Sequence, residues 1–574
     1  MLKRRSGRLL ALAALLAASL FALRVVLWRP LEVVGEAPRD GYTRVPGVLH
    51  VHTTLSDGGG PPGEVIAAAR AAGLGYLVLT DHNNLDAKPF EGYHDGVLVL
   101  VGSELSTTAG HLLALGIPDP VFRFDGDPLD VLEDTRDLGG FSFAAHPLNR
   151  REDLRFSGWD LPGPWGLELL NGDSEWRRAG IRNVLTGALY GLNHGYALLG
   201  GLNPPDEMLA RWDLMLTRRD VAVIAGADVH SRLPITKKSS LRFPSYESLF
   251  ALVRTHVLLD EPPSRDFARD SAAVLDALRR GRSYVGIDAL APAGAFSFTV
   301  QDPAGRRWTM GESVTSAPGL VARAGGLVPR GARIVLLRDG RPLREAADRI
   351  EEPLPGPGVY RVEVRLPGWP VPWVLTNPIA VFEDAERGER ERRAAWPAPT
   401  TPPAPAVLID DFAGRTVFTP EFDPSSWMDG RVVDPGAGPE GGPAGRLTFR
   451  LGAPGPGRPF TWCALVNRAA RDLSGRTGLV FRIKGDGAYR AWVQVRDQNP
   501  ASADDGLEWW MASVRTTTEW QTVVLPFARF RTINRKTDGR LDLDKVREIV
   551  FVLDFAAVKV GTKGTIWLSD VGVY

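Results

Sequence analysis

The chain has a single cysteine, Cys463, and only nine histidines in 574 residues. One cysteine excludes an intramolecular disulfide and leaves the redox compartment undetermined. Neither sign of charge is in excess: 68 basic and 68 acidic residues give a formal net charge of zero. That balance argues against a nucleic-acid binder working through a broad basic surface, although it says nothing of a small buried site. No tandem repeat is visible, and the Gly-rich "SDGGGPPGE" lacks the Lys-Ser/Thr ending of a P-loop. What is present is ordinary globular composition, 44% apolar and 24% charged. The chain is too long for one core, so three or four domains are expected. The 62 glycines and 45 prolines suit many loops and short strands.

The N-terminus opens with the basic "MLKRRSGR", followed by an apolar run from Leu9 to Trp28 of about membrane-spanning length. Arg24 interrupts the run near its far end, where a long side chain can snorkel. The charge order predicts a cytoplasmic tail, an uncleaved transmembrane anchor over residues 1–35, and an exported (periplasmic or extracytoplasmic) remainder. A cleaved signal peptide and secretion is the alternative.

From Val48 to about Ile287, short and nearly all-apolar strands alternate with helical stretches, as in "VLHVH", "YLVLT", "VLVLVGSE", "GFSFAAH", "GLELLNG" and "VAVIAGADVH". Such strands are buried on both faces, as in a parallel α/β sheet or barrel, here expected over 44–290. The stretch 173–220 is too long for a loop and reads as a helical insertion. From about Ala295 the pattern changes to apolar/polar alternation with turn signals, predicting an Ig-like β-sandwich over 291–385. The run "EDAERGERERR" and the Pro-rich "WPAPTTPPAPA" read as a semi-rigid linker over 386–406. Residues 407–574 hold many strand patterns and few helices, predicting a second all-β unit, a jelly roll. The fold class is therefore multidomain α/β plus all-β.

Six of the nine histidines fall at the ends of the α/β strands. His50 and His52 are spaced i and i+2, which in a strand puts both rings on one side, a chelating arrangement. Asp57 lies in the Gly-rich turn that follows. His82, Glu104, His111 and His146 end or open other strands, and Asp228 and His230 repeat the i, i+2 spacing. In parallel α/β barrels the C-terminal strand ends form the site. Nine potential ligands can hold two or three divalent ions (Mn, Zn or Fe), and a carboxylate can bridge. His94, His194 and His256 read as structural. Asp81 reads as a partner orienting His82. Glu168 stands in a buried strand pattern and reads equally as a structural hydrogen-bonding group.

The ordered set "HVHTTLSDG", "LTDHNN", "GSELSTTAGH", "AAHP" and "GADVH" resembles the PHP family, the polymerase and histidinol phosphatase metallohydrolases. The resemblance implies a distorted (β/α)7 barrel and a two- or three-metal centre that hydrolyses phosphate esters with a metal-activated hydroxide. Carried over, His50, His52, Asp57, His82, Glu104, His111, His146, Asp228 and His230 occupy the ligand positions, with Glu104 as the bridging carboxylate. Arg150, four residues after His146, is the candidate phosphoryl-stabilising cation, with Arg151 as runner-up.

The segments "GLVFRIKGDGAYRAWVQVRD", "TEWQTVVLPFARF" and "WLSDVGVY" resemble galactose-binding-like jelly rolls, with the complex-I intermediate-associated protein 30 type and family 11 carbohydrate-binding modules as closest variants. In glycan-binding members exposed aromatics stack on sugars. Trp427, Trp462, Trp492, Trp509, Trp510 and Trp520 are available. Trp492 and Trp520 fit core positions, and one ring of the adjacent pair Trp509 and Trp510 must face outward if they lie on a strand. The expected function is a membrane-anchored metal-dependent phosphoesterase acting on a small phosphorylated substrate, with glycan a further partner and nucleic acid disfavoured. The alternative is an envelope glycan- or partner-binding protein with a structural metal site.

Overall fold

The structure is a computed structural model describing residues 2–574 except 181, 237–238, 397–400 and 503–504; the side chains of residues 2–11, 176, 179 and 234 also fall outside the description. The chain divides into two compact units: Met1–Pro118 with Gly126–Pro397, and Asp119–Asp125 with Ala398–Tyr574. The fold is mixed α/β with a large β-sandwich content.

In the first unit, strand Thr43–Val51 pairs in parallel with Tyr76–Leu79, which pairs in parallel with Val97–Val101. The chain then forms an antiparallel hairpin, Ser103–Thr107 with Gly110–Leu115, that leads antiparallel into Phe141–Ala144. Parallel pairing resumes through Gly166–Asn171 and Val223–Val229, which returns to Thr43–Val51 and closes a barrel. Strands Val97–Val101, Gly110–Leu115 and Gly166–Asn171 are buried at every residue, which explains their lack of polar alternation. The core includes Leu49, Val78, Leu98, Leu100, Leu113, Phe143, Ile224 and Val257. Helices Pro62–Ala71, Pro128–Asp137 and Phe267–Arg280 accompany the strands, and the last ends on Gly281 in the left-handed conformation.

Helices Gly172–Ala179, Arg182–Tyr190, His194–Leu199 and Asp206–Leu216 fill the stretch between Asn171 and Val223. The sandwich expected over 291–385 has no seam with the barrel. Strand Ser283–Gly286 pairs with both Arg254–Leu259 and Val374–Thr376, so hydrogen bonding runs without a break from one to the other. The buried amide of Asn377 fixes the junction: Val223 N–H donates to its Oδ1 at 2.8 Å, and its Nδ2 donates to the carbonyls of Val223 and Ser283.

Two expectations are corrected here. The charge run is not a solvated linker: it forms helix Asp384–Ala394, with Arg390 buried over the Phe382 ring and paired with Asp220 at 2.8 Å. Arg390 is the one buried residue of this helix, held by partners distant in sequence that a composition-based reading cannot see, while most of its other charges face solvent. Residues 397–400 of the expected linker lie outside the described residues. At the N-terminus a helix spans Leu2–Leu27, but among the described residues no helix is long and apolar enough to cross a membrane, so the membrane anchor is not supported. The helix meets the barrel unit where Trp28 packs edge-on against Tyr196 at 5.8 Å.

The second unit stacks two antiparallel sheets as a jelly-roll-like sandwich. One orders Trp427–Met428, Ala444–Arg450, Lys563–Val573, Gly478–Gly485 and Gln521–Pro526. The other orders Thr419–Phe422, Trp462–Arg471, Val546–Asp554, Arg490–Gln498, Leu507–Arg515 and Arg531–Thr532.

Candidate metal centre

The spacing of His50 and His52 is not that of a regular strand. His50 has φ 61°, and the strand shifts register against its neighbour between Val48 and Val51. Asp228 does the same, with φ 48° and a register shift between Gly226 and Val229. His146 also has positive φ, 32°. Non-glycine residues rarely adopt this conformation, and such strain concentrates where the fold must aim a functional side chain. The two histidine rings still converge, with centroids 5.1 Å apart, because a bulge turns them rather than because the pleat aligns them.

Glu104 stands at the centre. Its Oε2 lies 3.0 Å from His50 Nε2, 3.2 Å from His52 Nε2 and 3.2 Å from His82 Nδ1. Its Oε1 lies 2.6 Å from His111 Nδ1 and 2.8 Å from His146 Nε2. Asp228 Oδ1 faces His50 and His52 at 3.4 and 3.3 Å. Asp57, half exposed at the rim, lies 3.2 Å from His230 Nε2 and 3.8 Å from His52 and His82. All nine residues singled out as ligands therefore meet at one end of the barrel.

These residues fit divalent metal ions. The ligand atoms of His52, Asp57, His82 and His230 lie within 4.8 Å of one another, as do those of His50, His52, Glu104 and Asp228, and those of His82, Glu104 and His111. Both ring nitrogens of His52, Nε2 of His50 and Nδ1 of His146 are buried with no hydrogen-bond partner. Buried orphaned imidazole nitrogens facing carboxylates are the donor set of a metal site. The electrostatics agree. Burial alone would raise the Glu104 carboxyl, but the charge of His50 and hydrogen bonds from His111 and His146 hold it well below the carboxylate range. Burial would lower His52, yet Asp228 and Glu104 push it up to about 9. Without cations the carboxylates can be compensated only by protons on the rings; metal ions would take that place.

Glu168 is committed to this centre. Its Oε1 lies 2.6 Å from His50 Nδ1, and its Oε2 accepts the backbone N–H of His146 at 2.7 Å and Nδ2 of Asn171 at 2.9 Å. A charge in an otherwise apolar, wholly buried strand was the signal for it. Tyr246 left no comparable trace in the sequence. Its hydroxyl donates to the His52 carbonyl at 2.8 Å, lies 3.1 Å from that of His230 and accepts Gly60 N–H at 3.3 Å.

Asp81, expected to orient His82, instead organises the turn before Asp57. It accepts Thr53 N–H and Thr53 Oγ1, both at 2.8 Å, and Ser56 Oγ at 2.6 Å. The strand end turns its carboxylate toward that loop, so it is not a reacting group. Arg150 is exposed, and Arg151 is exposed and paired with Asp153. The turn after His146 carries both outward, and neither has a contact with the centre. His256 bonds Asp288 at 2.8 Å and His94 bonds the Phe90 carbonyl at 2.9 Å, as structural residues do.

Beside Asp228 and His230 a cavity of about 110 Å³ opens between the barrel end and the helical insertion, with Leu198, Leu202, Val229 and Leu252 in its wall. In the jelly roll, Trp509 and Trp510 do not offer a free ring. Trp510 is buried, and Arg496 lies 3.7 Å from the centroid of Trp509, covering its face. Trp492 is also buried. Trp427, by contrast, is 47% exposed and lines an open groove with Thr448, Arg450, Asp486 and Lys563.

The family model of complex I intermediate-associated protein 30 matches residues 460–568. An uncharacterized protein of Methanocaldococcus jannaschii is 28% identical over 116 residues, 18% of this chain and 67% of that protein. A two-domain protein of Bacteroides vulgatus, described as containing a predicted PHP-like metal-dependent phosphoesterase, aligns over 61% of this chain and 99% of its own at 18% identity and a TM-score of 0.29. A family 11 carbohydrate-binding module of Clostridium thermocellum, solved with a mixed-linked tetrasaccharide, aligns over 30% of this chain and 95% of its own at 18% identity and a TM-score of 0.25.

Proposed function

We propose that the chain is a metal-dependent phosphoesterase whose centre is built by His50, His52, Asp57, His82, Glu104, His111, His146, Asp228 and His230. The observation that carries this reading is the convergence of six imidazoles and three carboxylates with four orphaned ring nitrogens among them. Bound divalent ions would supply Lewis acidity toward a phosphoryl oxygen and toward water. The chain's own part is positioning. Glu104 touches five of the histidines and sets their mutual distances. Glu168 fixes the ring of His50 and the backbone of His146. Asp57, half exposed, is the acid most open to a substrate entering from solvent. The small apolar cavity beside Asp228 supports a substrate with a compact apolar group next to its phosphate.

The test is turnover of p-nitrophenyl phosphate mono- and diesters by the full chain loaded with Mn or Zn, beside a His50→Ala/His52→Ala control. Metal-dependent release lost in the control supports the reading, and the preferred ester sets the substrate class. Stoichiometric metal with no turnover of either ester or of a panel of natural phosphates sinks it. Export from the cytoplasm is a further part of this proposal, supported by the basic N-terminal segment, and cell fractionation tests it.

A second reading rests on the Trp427 groove: a glycan held in the jelly roll, with the ring as stacking platform and Asp486 and Arg450 as polar partners. Loss of oligosaccharide retention in affinity electrophoresis for Trp427→Ala, but not Trp509→Ala, checks it.

A further inference from the structure

A second polar anomaly lies in the jelly roll, apart from the barrel. The strand Arg490–Gln498 turns Ala491, Val493, Val495 and Asp497 to one face by the two-residue period, and all four are buried. The register pairs Asp497 with Glu508 and Val495 with Trp510 on the neighbouring strand. Directly opposed side chains of an antiparallel pair share a face. Two carboxylates, 1% and 0% exposed, thus continue an apolar row. Neither has an ion pair with any lysine or arginine among the described residues.

Each carboxylate has one oxygen satisfied. Asp542 N–H donates to Asp497 Oδ2 at 2.8 Å, and Asn499 Nδ2 donates to Glu508 Oε2 at 2.8 Å. The other two oxygens, Asp497 Oδ1 and Glu508 Oε1, are buried without a hydrogen-bond partner. A third orphan is a donor: Nε1 of Trp510, on the same face two residues beyond Glu508 and only 7% exposed. Like charges buried side by side without a cation are strongly unfavourable. Two buried, unpartnered carboxylate oxygens on directly opposed residues are candidate ligands of a hard cation, which would also relieve their mutual repulsion.

We propose that Asp497 and Glu508 bind a hard divalent cation of the calcium type, making a metal site in the jelly roll separate from the barrel centre. With two carboxylates and few other ligands, the affinity falls in the range of about 10⁻⁴–10⁻³ M typical of weak extracellular calcium modules.

The experiment uses the full chain with its barrel preloaded with Mn. Terbium is titrated in while tryptophan is excited, since Trp509 and Trp510 directly follow Glu508 and can sensitise a bound lanthanide. The expected result is saturable terbium emission, competed by calcium, at least tenfold weaker in affinity in Asp497→Asn and Glu508→Gln, and unchanged in His50→Ala/His52→Ala. Emission that survives both isosteric substitutions, or that disappears only in the histidine variant, overturns the proposal. A second measurement guards against misfolding. In chelator the Asp497→Asn chain should melt at or above the wild-type temperature, and calcium should raise the melting temperature of wild type alone. Equal response of the two chains to calcium, or none in either, means that the carboxylates share a proton and hold no cation.

Discussion

Glu168 touches two candidate ligands at once: its Oε1 lies 2.6 Å from His50 Nδ1, and its Oε2 accepts the backbone N–H of His146 at 2.7 Å. One carboxylate therefore sets the ring orientation of His50 and the strained backbone that aims His146. Glu168→Gln keeps the volume but replaces one oxygen with an N–H donor. That donor competes for the nitrogen that His50 must present as a proton carrier to Glu168. Outer partners of this kind are worth about 10–100-fold in metal affinity. Titration with Mn followed by calorimetry should read a loss of that size, with far-UV circular dichroism unchanged.

Gly226 is the other half of that arrangement. A Cβ on it would lie 1.7 Å from Oε1 of Glu168 and 2.3 Å from its Cδ. Gly226→Ala must therefore drive Glu168 off His50. It should lose metal as Glu168→Gln does and cost about 1–3 kcal/mol of stability from overpacking. The two effects separate in a cycle with Glu168→Ala, where the space is free: the added methyl should then cost little. An equal cost in both backgrounds would mean that the clash lies elsewhere.

Tyr246 reaches the centre through backbone rather than side chain, tying the carbonyls of His52 and His230 across two strands. Tyr246→Phe removes the donor and leaves the His52 carbonyl buried without it. The expected cost is about 1–2 kcal/mol, read as a lower urea midpoint at unchanged slope. Metal affinity should fall for the rim group of His52, Asp57, His82 and His230 more than for the group around Glu104. Competition between a tight and a weak equivalent of Mn would resolve the two.

How much of this centre was legible in the sequence depends on the kind of residue. His50, His52 and Asp228 were visible because imidazoles and carboxylates are rare at the ends of apolar strands. Their conformation was not: a bulge is a register relation between two strands, and no spacing within one strand reports it. Asp81 was visible but misassigned, because its neighbour His82 drew the inference while its carboxylate bonds Thr53 and Ser56 nearly thirty positions away. Arg390 was misplaced for a similar reason. Its surroundings are all charged, but Asp220 and the Phe382 ring, which fix it, come from other parts of the chain. The strands after residue 290 follow a change of strand period in the sequence, but their junction with the barrel, made by the pairing of Ser283–Gly286 with Val374–Thr376 and by the Asn377 amide bonded to Val223 and Ser283, joins segments far apart in sequence.

The lone cysteine gives the last prediction. Cys463 is fully buried in strand Trp462–Arg471, with its sulfur 3.7 Å from the Trp427 carbonyl. Burial pushes its thiol up to about 12, against 9.0 in an unfolded chain. The reactive species is the thiolate, so at pH 8 the folded chain should alkylate only as fast as it opens. Iodoacetamide labelling that follows the global unfolding rate, measured by urea jumps, fits this; fast labelling of the native chain does not. The sign of the linkage is also fixed. The raised thiol stabilises the fold below about pH 9, and that contribution is lost as pH rises from 9 through 12. Lysines and tyrosines titrate in the same window, so the readout is the difference between wild type and Cys463→Ala. The alanine chain should be less stable at pH 8, by roughly 1 kcal/mol for the cavity left behind, and the gap between the two chains should narrow as the pH is raised above 9. A gap that stays constant would mean that the thiol does not feel its burial.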